Sequence, residues 1–418
     1  MSSPRMRTLA LVVAGSSALA SACDTQPSMP SGLVAGAHGA TLAGHVEITV
    51  IDEPSGAPVS GAVVRASDAA TGTAITQAST DHAGFVRLEG AALTGSIVLE
   101  AASSTSAQIF FGVRTDEVVI ALPGASAERP RVSGNVRGLP ADTSSIVVGV
   151  ATDVALLRTV SIDAATTVPC TRDGDGCSFS ASVAGTSALA AATASNDAGE
   201  VVGFVTGHVG PSGGTLETSA AAEDLLLTLP AAAGFTGIIG VPGVAENGAL
   251  VLLSQAQSSP EHLSVPALGG ALEGASYWVI VEAQPMISAS MVDPNARSVL
   301  FARGVHAAAE LPTWTAWLAA PRATLDADVS VTFDAVATAD VHVVDWIDAA
   351  GRVRASAWLL DDTILGVESL VPSGLAPREV ASVRVRAIDT DSPPSASGFD
   401  AHAIEADVTR FSERTITR

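Results

Sequence analysis

The sequence predicts an all-β protein built from tandem β-sandwich domains of the immunoglobulin-like or transthyretin-like kind. Runs rich in Val, Thr and Ser recur along the chain and are broken by Gly, Pro, Asp and Asn, as expected for short strands joined by turns. Aromatic residues make up only 4% of a sequence that is 47% hydrophobic. Beyond the first 22 residues no stretch keeps a helical period with caps. A chain of 418 residues is long enough for about two to four such domains.

The N-terminal residues 1–22 have the three parts of a secretory signal peptide. Arg5 and Arg7 precede residues 8–20, which are apolar and uncharged, and Ser21 and Ala22 then lead to Cys23. A helix over residues 8–20 would span about 20 Å, short of the roughly 30 Å hydrocarbon core of a bilayer. We therefore expect an export signal and not a stable transmembrane helix.

The end of this signal resembles the lipobox of bacterial lipoproteins. The matching residues are Ala20-Ser21-Ala22-Cys23, with Leu19 just upstream. The resemblance implies cleavage before Cys23, lipid on its thiol and on its new amino group, and residues 23–40 as a flexible tether. The expected partner is then a membrane of the cell envelope, inner or outer, reached through lipid. The alternative is an ordinary signal peptide cut near Ala22, which leaves Cys23 as a free thiol.

The charge of the chain excludes one class of partner. The formal net charge is −22, and all 21 basic residues are Arg. No basic patch that could follow a phosphate backbone is visible, so nucleic acid is not an expected partner. Such an acidic protein also repels anionic headgroups, which again favours membrane contact through lipid.

Two further cysteines predict a disulfide. With Cys23 lipidated, Cys170 and Cys177 remain as a pair that an oxidising compartment would bridge. The loop between them carries Asp173 and Asp175, which we weigh as calcium ligands. Calcium takes six to eight oxygens, and two carboxylates fall short of that number. No cofactor is therefore predicted, with calcium left as the alternative here and, less favoured, at Asp361-Asp362 and Asp389-Thr390-Asp391.

Residues 41–124 are predicted to form the first sandwich. Val46, Ile48 and Val50 alternate with Glu47 and Thr49, as in a half-buried strand. A turn follows at residues 54–56. A second turn at residues 80–88 contains Gly84, which is free to adopt positive φ.

Two motifs of this region resemble the carboxypeptidase regulatory-like family. They are S-G-A-P-V-x-G-A-V-V at residues 55–64 and T-D-x-x-G-x-x-x-L at residues 80–88. The resemblance implies a transthyretin-like sandwich that is usually a non-catalytic accessory module. Asp52, Asp81 and Gly84 match the pattern, and we interpret them as turn residues.

Residues 130–230 are predicted to form a second sandwich that loosely repeats the first. Residues 195–202 echo the turn at residues 80–88, and the disulfide loop lies in this unit. Residues 235–308 are a third β unit, with a hairpin turn at Asn247-Gly248 and a strand at residues 277–282.

Residues 310–418 have the strand rhythm of immunoglobulin or fibronectin-like domains. Residues 341–347 and 352–359 are expected to pair across the turn at 348–351, with Trp346 or Trp358 as the core aromatic.

Catalytic motifs are not found in the sequence, so no catalytic residue is predicted. It contains no G-x-S-x-G, H-E-x-x-H or P-loop motif, and its eight His are far apart. We predict a non-enzymatic envelope protein that serves as an interaction or scaffolding module for other envelope proteins. The first alternative is a polysaccharide-binding surface protein, which should expose two or three aromatics in one groove. An enzyme, the second alternative, should bring His and carboxylates together in a pocket.

Overall fold

The computed structural model describes residues 35–53, 55–123, 131–150, 152–153, 167–173, 176–182, 188–210, 212–246, 249–253, 261–307, 310–360, 372, 375–391, 393–394, 398–400, 404 and 407–418. These residues are almost entirely strands and turns, which confirms the predicted all-β class. Within them no helix is long and apolar enough to cross a bilayer. The signal peptide, Cys23, most of the predicted tether and the turn at Asn247-Gly248 lie outside the described residues.

The strands are numbered in chain order. The first eight are β1 (Gly36–Thr41), β2 (Ala43–Asp52), β3 (Val63–Asp68), β4 (Ala74–Ser79), β5 (Phe85–Thr94), β6 (Ile97–Ala102), β7 (Ala107–Val113) and β8 (Thr115–Leu122). The next eleven are β9 (Arg131–Val136), β10 (Ser145–Val150), β11 (Thr152–Asp153), β12 (Thr167–Pro169), β13 (Thr171–Asp173), β14 (Gly176–Ser182), β15 (Ala188–Ser195), β16 (Val201–Val209), β17 (Thr215–Leu216), β18 (Thr218–Ala220) and β19 (Ala222–Leu226).

The third predicted unit contributes β20 (Phe235–Glu246), β21 (Ala249–Leu252), β22 (His262–Pro266), β23 (Ser276–Ser288), β24 (Met291–Val292) and β25 (Ala296–Val305). The last contributes β26 (Ala323–Leu325), β27 (Val331–Phe333), β28 (Val341–Ile347), β29 (Val353–Leu359), β30 (Ser382–Thr390), β31 (Phe399–Asp400) and β32 (Val408–Thr417). Two short 3₁₀ helices, Gly270–Leu272 and Pro377–Glu379, are also described.

The first unit is a sandwich of two sheets. One sheet has the order β31-β1-β8-β2-β5, and the strands β7-β6-β3-β4 lie opposite it. Val46, Ile48 and Val50 of β2 are fully buried, as their alternation predicts, and share a core with Val64 and Phe110. Two sheets that each have one apolar face pack against each other because this buries the apolar side chains of both faces away from water.

The second unit packs a five-stranded sheet, β12-β10-β15-β16-β18, and a four-stranded sheet, β13-β14-β9-β17, around one apolar core. That core continues into the third unit through buried residues such as Val279 and Leu300. The two units are therefore joined by side-chain packing as well as by the chain.

One 14-stranded sheet crosses several predicted domain boundaries. It contains strands of the first, third and last units, and β11 of the second at one edge. The last unit joins the third where β32 pairs with β25, and it joins the first where β29 runs parallel to β7. The predicted boundaries stay predictions, but the hydrogen bonding does not stop at them.

The first sandwich begins before the predicted end of the tether at residue 40. Strand β1 begins at Gly36 and pairs with β8 and β31. Ala35 and Ala37 are buried. Small residues that look flexible in the sequence are here held by backbone hydrogen bonds, which do not depend on side-chain type.

Three hairpin turns share one construction. Asp81, Asn196 and Asp348 each accept two backbone N–H bonds, from the residues two and four positions later. Gly84 and Gly199 follow three residues after the first two, with φ of 72° and 81°, in the left-handed region that glycine adopts without strain. Asp81 and Gly84 are thus turn residues, as predicted, and the turn near residue 196 repeats that arrangement.

The predicted strands of the last unit are confirmed. β28 pairs with β29 across the turn at residues 348–351. Trp346 and Trp358 are both buried, at 0% and 1% exposure. They belong to two different hydrophobic cores, which shows that their side chains lie on opposite faces of the sheet. Both tryptophans are therefore core residues, where the sequence suggested one or the other.

Candidate functional site

The predicted disulfide joins Cys170 to Cys177, with their Cα atoms 5.4 Å apart. It closes the hairpin of β13 and β14, and β14 pairs in turn with β9. Cys177 is buried beside Phe179 in the core of the second unit. The bridge therefore closes the hairpin, while the pairing of β14 with β9 attaches that hairpin to the sandwich.

The double substitution Cys170→Ser/Cys177→Ser should lower the free energy of unfolding by about 2–3 kcal/mol. Cross-linking so short a loop restricts the unfolded chain by about that amount. Urea unfolding measures the loss, with Ser178→Ala, at an exposed position on β14, as the control. An unchanged urea midpoint would contradict a stabilising bridge.

Calcium at this loop stays a prediction. Asp175 lies outside the described residues, and Asp173 is the last residue of β13. Among the residues that the structure describes, no group of three or more His, Cys, Asp and Glu could hold a metal ion.

A buried row of charged side chains crosses the large sheet. The Nη2 atoms of Arg384 and Arg386 donate to Asp345 Oδ2 over 2.8 and 2.9 Å, and Ser356 Oγ donates to Asp345 Oδ1 over 2.9 Å. The row continues where Arg297 bonds Glu413 at 2.7 Å and Glu282 at 3.0 Å. Its charged members come from five neighbouring strands, β28, β30, β32, β25 and β23, and the uncharged Ser356 adds β29.

The electrostatics of this row are those of a structural element. Burial alone would raise the pKa of Asp345, but Arg386 and Arg384 outweigh that effect and hold the pKa below its usual value. Burial likewise opposes the charge of Arg297, and its two glutamate partners more than offset it, so its pKa is raised. Each charge faces an opposite charge, which is the condition for keeping such groups inside a protein.

His342 is a buried histidine of the last unit. It is 1% exposed on β28, and its Nε2 accepts the backbone N–H of Val336 over 3.0 Å. Burial lowers its pKa from 6.5 to about 4. By contrast, His208 and His262 are exposed and lie 3.1 and 3.0 Å from Glu246 and Asp224.

His342 should make the protein less stable in acid. Its folded pKa is below its unfolded value, so its contribution is fully present above about pH 6.5 and is lost as the pH falls toward 4. Between pH 7.5 and 4.5 the loss should be about 2–3 kcal/mol. The variant His342→Gln keeps an acceptor for the Val336 N–H but has no group that protonates in this range. Its free energy of unfolding, measured with urea, should therefore fall by about 2–3 kcal/mol less between pH 7.5 and 4.5 than that of the parent protein. Identical pH profiles for the two proteins would contradict this role.

A cleft of about 540 Å³ lies where the third and last units meet. Four segments line it: the end of β25, residues 310–316, the end of β30 and the start of β32. Charged residues on its walls are Arg303, Glu310, Asp389, Asp391, Asp407 and Arg410, and the apolar part includes Phe301 and Trp314. The cleft is the candidate binding site in the described part of the chain.

Its two arginines are held in place. Arg410 pairs with Asp389 through Nε and donates from Nη1 to the carbonyl of Ala316 over 3.1 Å. Arg303 Nη2 donates to the carbonyl of Val408 over 2.6 Å, and its guanidinium lies 5.2 Å from the centre of the Trp278 ring. Because both guanidinium groups are already held, they lose little further rotamer freedom when a ligand enters the cleft.

The negative charges of the cleft carboxylates are balanced by fewer arginine contacts than those of the buried row. Burial raises the pKa of Asp389, the nearby Asp340 carboxylate adds to the rise, and Arg410 only partly offsets them. Within the described residues, the carboxylates of Asp391 and Asp407 accept no hydrogen bond from the protein. A backbone bond from Asp391 N to the carbonyl of Asp407 holds these two strand ends together at 3.0 Å.

Sequence reasoning found only part of this cleft. Asp389 and Asp391 stood out as neighbouring acids at a strand end, but as minor calcium candidates. Arg303, Trp314 and Arg410 carry no motif and lie up to about 100 positions apart, so no local signal joins them. An aromatic groove of the kind expected for polysaccharide binding is not found in the described ranges, where Phe85 is the one large aromatic with an exposed side chain.

No family model matches this chain, and no curated protein does. The resemblances to lipoproteins and to the carboxypeptidase regulatory-like family therefore stay predictions.

Among solved structures, the chain has low similarity to two pilin subunits and to one further bacterial protein. The shaft pilin SpaA of Lactobacillus rhamnosus GG is 10% identical, with a TM-score of 0.16, over 41% of this chain and 96% of the pilin. A single-residue variant of BcpA, the major pilin subunit of Bacillus cereus, is 12% identical, with a TM-score of 0.16, over 60% and 91%. The TIE protein of Bacillus anthracis is 11% identical, with a TM-score of 0.15, over 59% and 46%. Scores this low describe different overall arrangements, so the proposals below rest on the chain's own residues.

Proposed function

We propose that the protein is a lipid-anchored, non-enzymatic structural module of the bacterial cell envelope. The observation that carries this proposal is the shared sheet: β32 pairs with β25 and β29 pairs with β7, so strands of three predicted units form one hydrogen-bonded frame. A frame of this kind suits a protein that holds or spaces other envelope components. The envelope location follows from the lipobox-like residues before Cys23.

The buried charges support a structural role. Asp345, Glu413 and Glu282 are each bonded to arginines of neighbouring strands. A catalytic acid or base must instead exchange its proton with a substrate and is poised near the working pH. The arginine partners of Asp345 hold its pKa below the usual value, far from that condition.

The anchor is tested by intact-mass spectrometry of the membrane-extracted protein. The expected mature chain begins at Cys23 and carries a diacylglyceryl group and an amide-linked acyl chain. Cys23→Ala should lose the lipid and move to the soluble fraction, because two or three chains are needed for stable membrane binding. Ser21→Thr, which leaves Cys23 in place, is the matched control. A mature chain without lipid, starting elsewhere, would overturn the envelope-anchored proposal in favour of a freely exported protein.

A further inference from the structure

We propose that the cleft between the third and last units binds a neutral sugar of one or two rings. Its volume of about 540 Å³ lies within the range of small-molecule sites, about 300–1,000 Å³. It also lies between two structural units, where such sites are common. The proposal goes beyond the structural role, since a frame needs no such cleft.

The chemistry of the walls selects the ligand class. A sugar presents several hydroxyl groups, each able to donate and to accept, together with apolar C–H faces. The cleft offers acceptors in Asp391 and Asp407, donors in Arg410, and the hydroxyls of Thr313 and Thr315. Phe301 and Trp314 supply apolar wall. A mixture of planar acceptors and donors around an apolar surface matches a polyhydroxylated ligand better than a purely apolar one.

The site is preorganised by contacts that leave it free to bind. Arg410 is fixed by Asp389 and by the carbonyl of Ala316 through its Nε and Nη1 atoms, and its Nη2 atom donates to no group in the described part of the chain. Trp314 is fixed because its Nε1 donates to the carbonyl of Phe301 over 3.2 Å. Groups held in advance lose little freedom on binding, which improves affinity.

The charge of the cleft excludes anionic sugars. Four carboxylates, those of Glu310, Asp389, Asp391 and Asp407, line the cleft beside only two guanidinium groups, those of Arg303 and Arg410. A uronic acid or a sulfated sugar would add a like charge to this site. The expected ligands are therefore neutral hexoses or N-acetylated hexosamines.

Saturation-transfer NMR on the purified full-length protein tests the proposal. The probes are D-glucose, D-galactose, D-mannose and N-acetyl-D-glucosamine, with D-glucuronate as the anionic comparison and 1,4-diaminobutane as a cationic one. At least one neutral sugar should give a saturable signal, and glucuronate should give none. Signal from none of the four neutral sugars at tens of millimolar, or from the diamine alone, would overturn the proposal.

Two variants locate the binding. Asp391→Asn and Asp407→Asn should each raise the dissociation constant about tenfold, because each loses a charged acceptor. Asp197→Asn, an exposed carboxyl in the second unit, is the matched control and should bind like the parent. Thermal unfolding confirms that all three variants fold. Unchanged sugar affinity in both cleft variants would show that the sugar binds elsewhere and overturn the assignment, while the lipid anchor is judged separately by the mass of the Cys23 chain.

Discussion

Asp345→Asn is expected to lower the free energy of unfolding by about 3–5 kcal/mol. The substitution removes the negative charge that Arg384 and Arg386 both face, at 2.8 and 2.9 Å, in a site where Asp345 is 1% exposed. Breaking a buried pair in this way leaves uncompensated charge in a poorly solvated place, which is the reason for so large an effect. Urea unfolding at neutral pH measures it.

The control for this prediction is Asp142→Asn, an exposed carboxyl in the second unit, which should change the stability by less than about 0.5 kcal/mol. A second variant separates charge from packing. Replacing Asp345, Arg384 and Arg386 together by apolar residues of similar volume should recover most of the loss, since no isolated charge then remains. A loss below about 1 kcal/mol for Asp345→Asn would show that the row is not a stabilising element.

Phe110→Ala is expected to destabilise the first and last units together, by about 3–5 kcal/mol. Phe110 is fully buried on β7, and its ring meets that of Phe399 edge-on at 5.2 Å. It lies opposite Trp358 in the parallel pair of β7 and β29. Removing the ring opens a cavity at the place where the two units share a core, and both sides lose contacts.

Hydrogen exchange followed by mass spectrometry tests this coupling. Protection should fall in β2 and β8 of the first unit and also in β28 and β30 of the last. Phe85→Ala, a half-exposed position on β5, should have a small effect confined to the first unit. If Phe110→Ala weakened the first unit alone, the two units would be independently folding domains and the shared frame would not be cooperative.

The sequence predicts best where structure is decided by near neighbours. The alternation around Val46, the turn at Asp81 and Gly84 and the hairpin of β28 and β29 follow from side-chain period and local backbone conformation. The disulfide follows from the count of cysteines and their spacing. These features depend on a few adjacent residues, so each leaves a pattern that can be read along the chain.

The candidate cleft could not be predicted in the same way. Arg303, Asp389 and Arg410 meet only because the ends of β25, β30 and β32 lie side by side. None of the three belongs to a sequence motif. Two neighbouring aspartates such as Asp389 and Asp391 suggest a metal site in the sequence, and only the structure shows that arginines lie beside them. The burial of His342 was missed for the same reason, because one polar residue in a strand does not reveal what covers it.

By itself the sequence determined the all-β class, a few strands such as those around Val46 and in the β28–β29 hairpin, and the pairing of Cys170 with Cys177. The tertiary structure alone decided that β1 starts at Gly36, that β29 pairs with β7, and that the strands of three predicted units share one sheet. The physical reason is that strand pairing is made by backbone groups that every residue carries. Which edges meet is settled by packing over the whole chain, and that choice leaves no local mark in the order of the side chains.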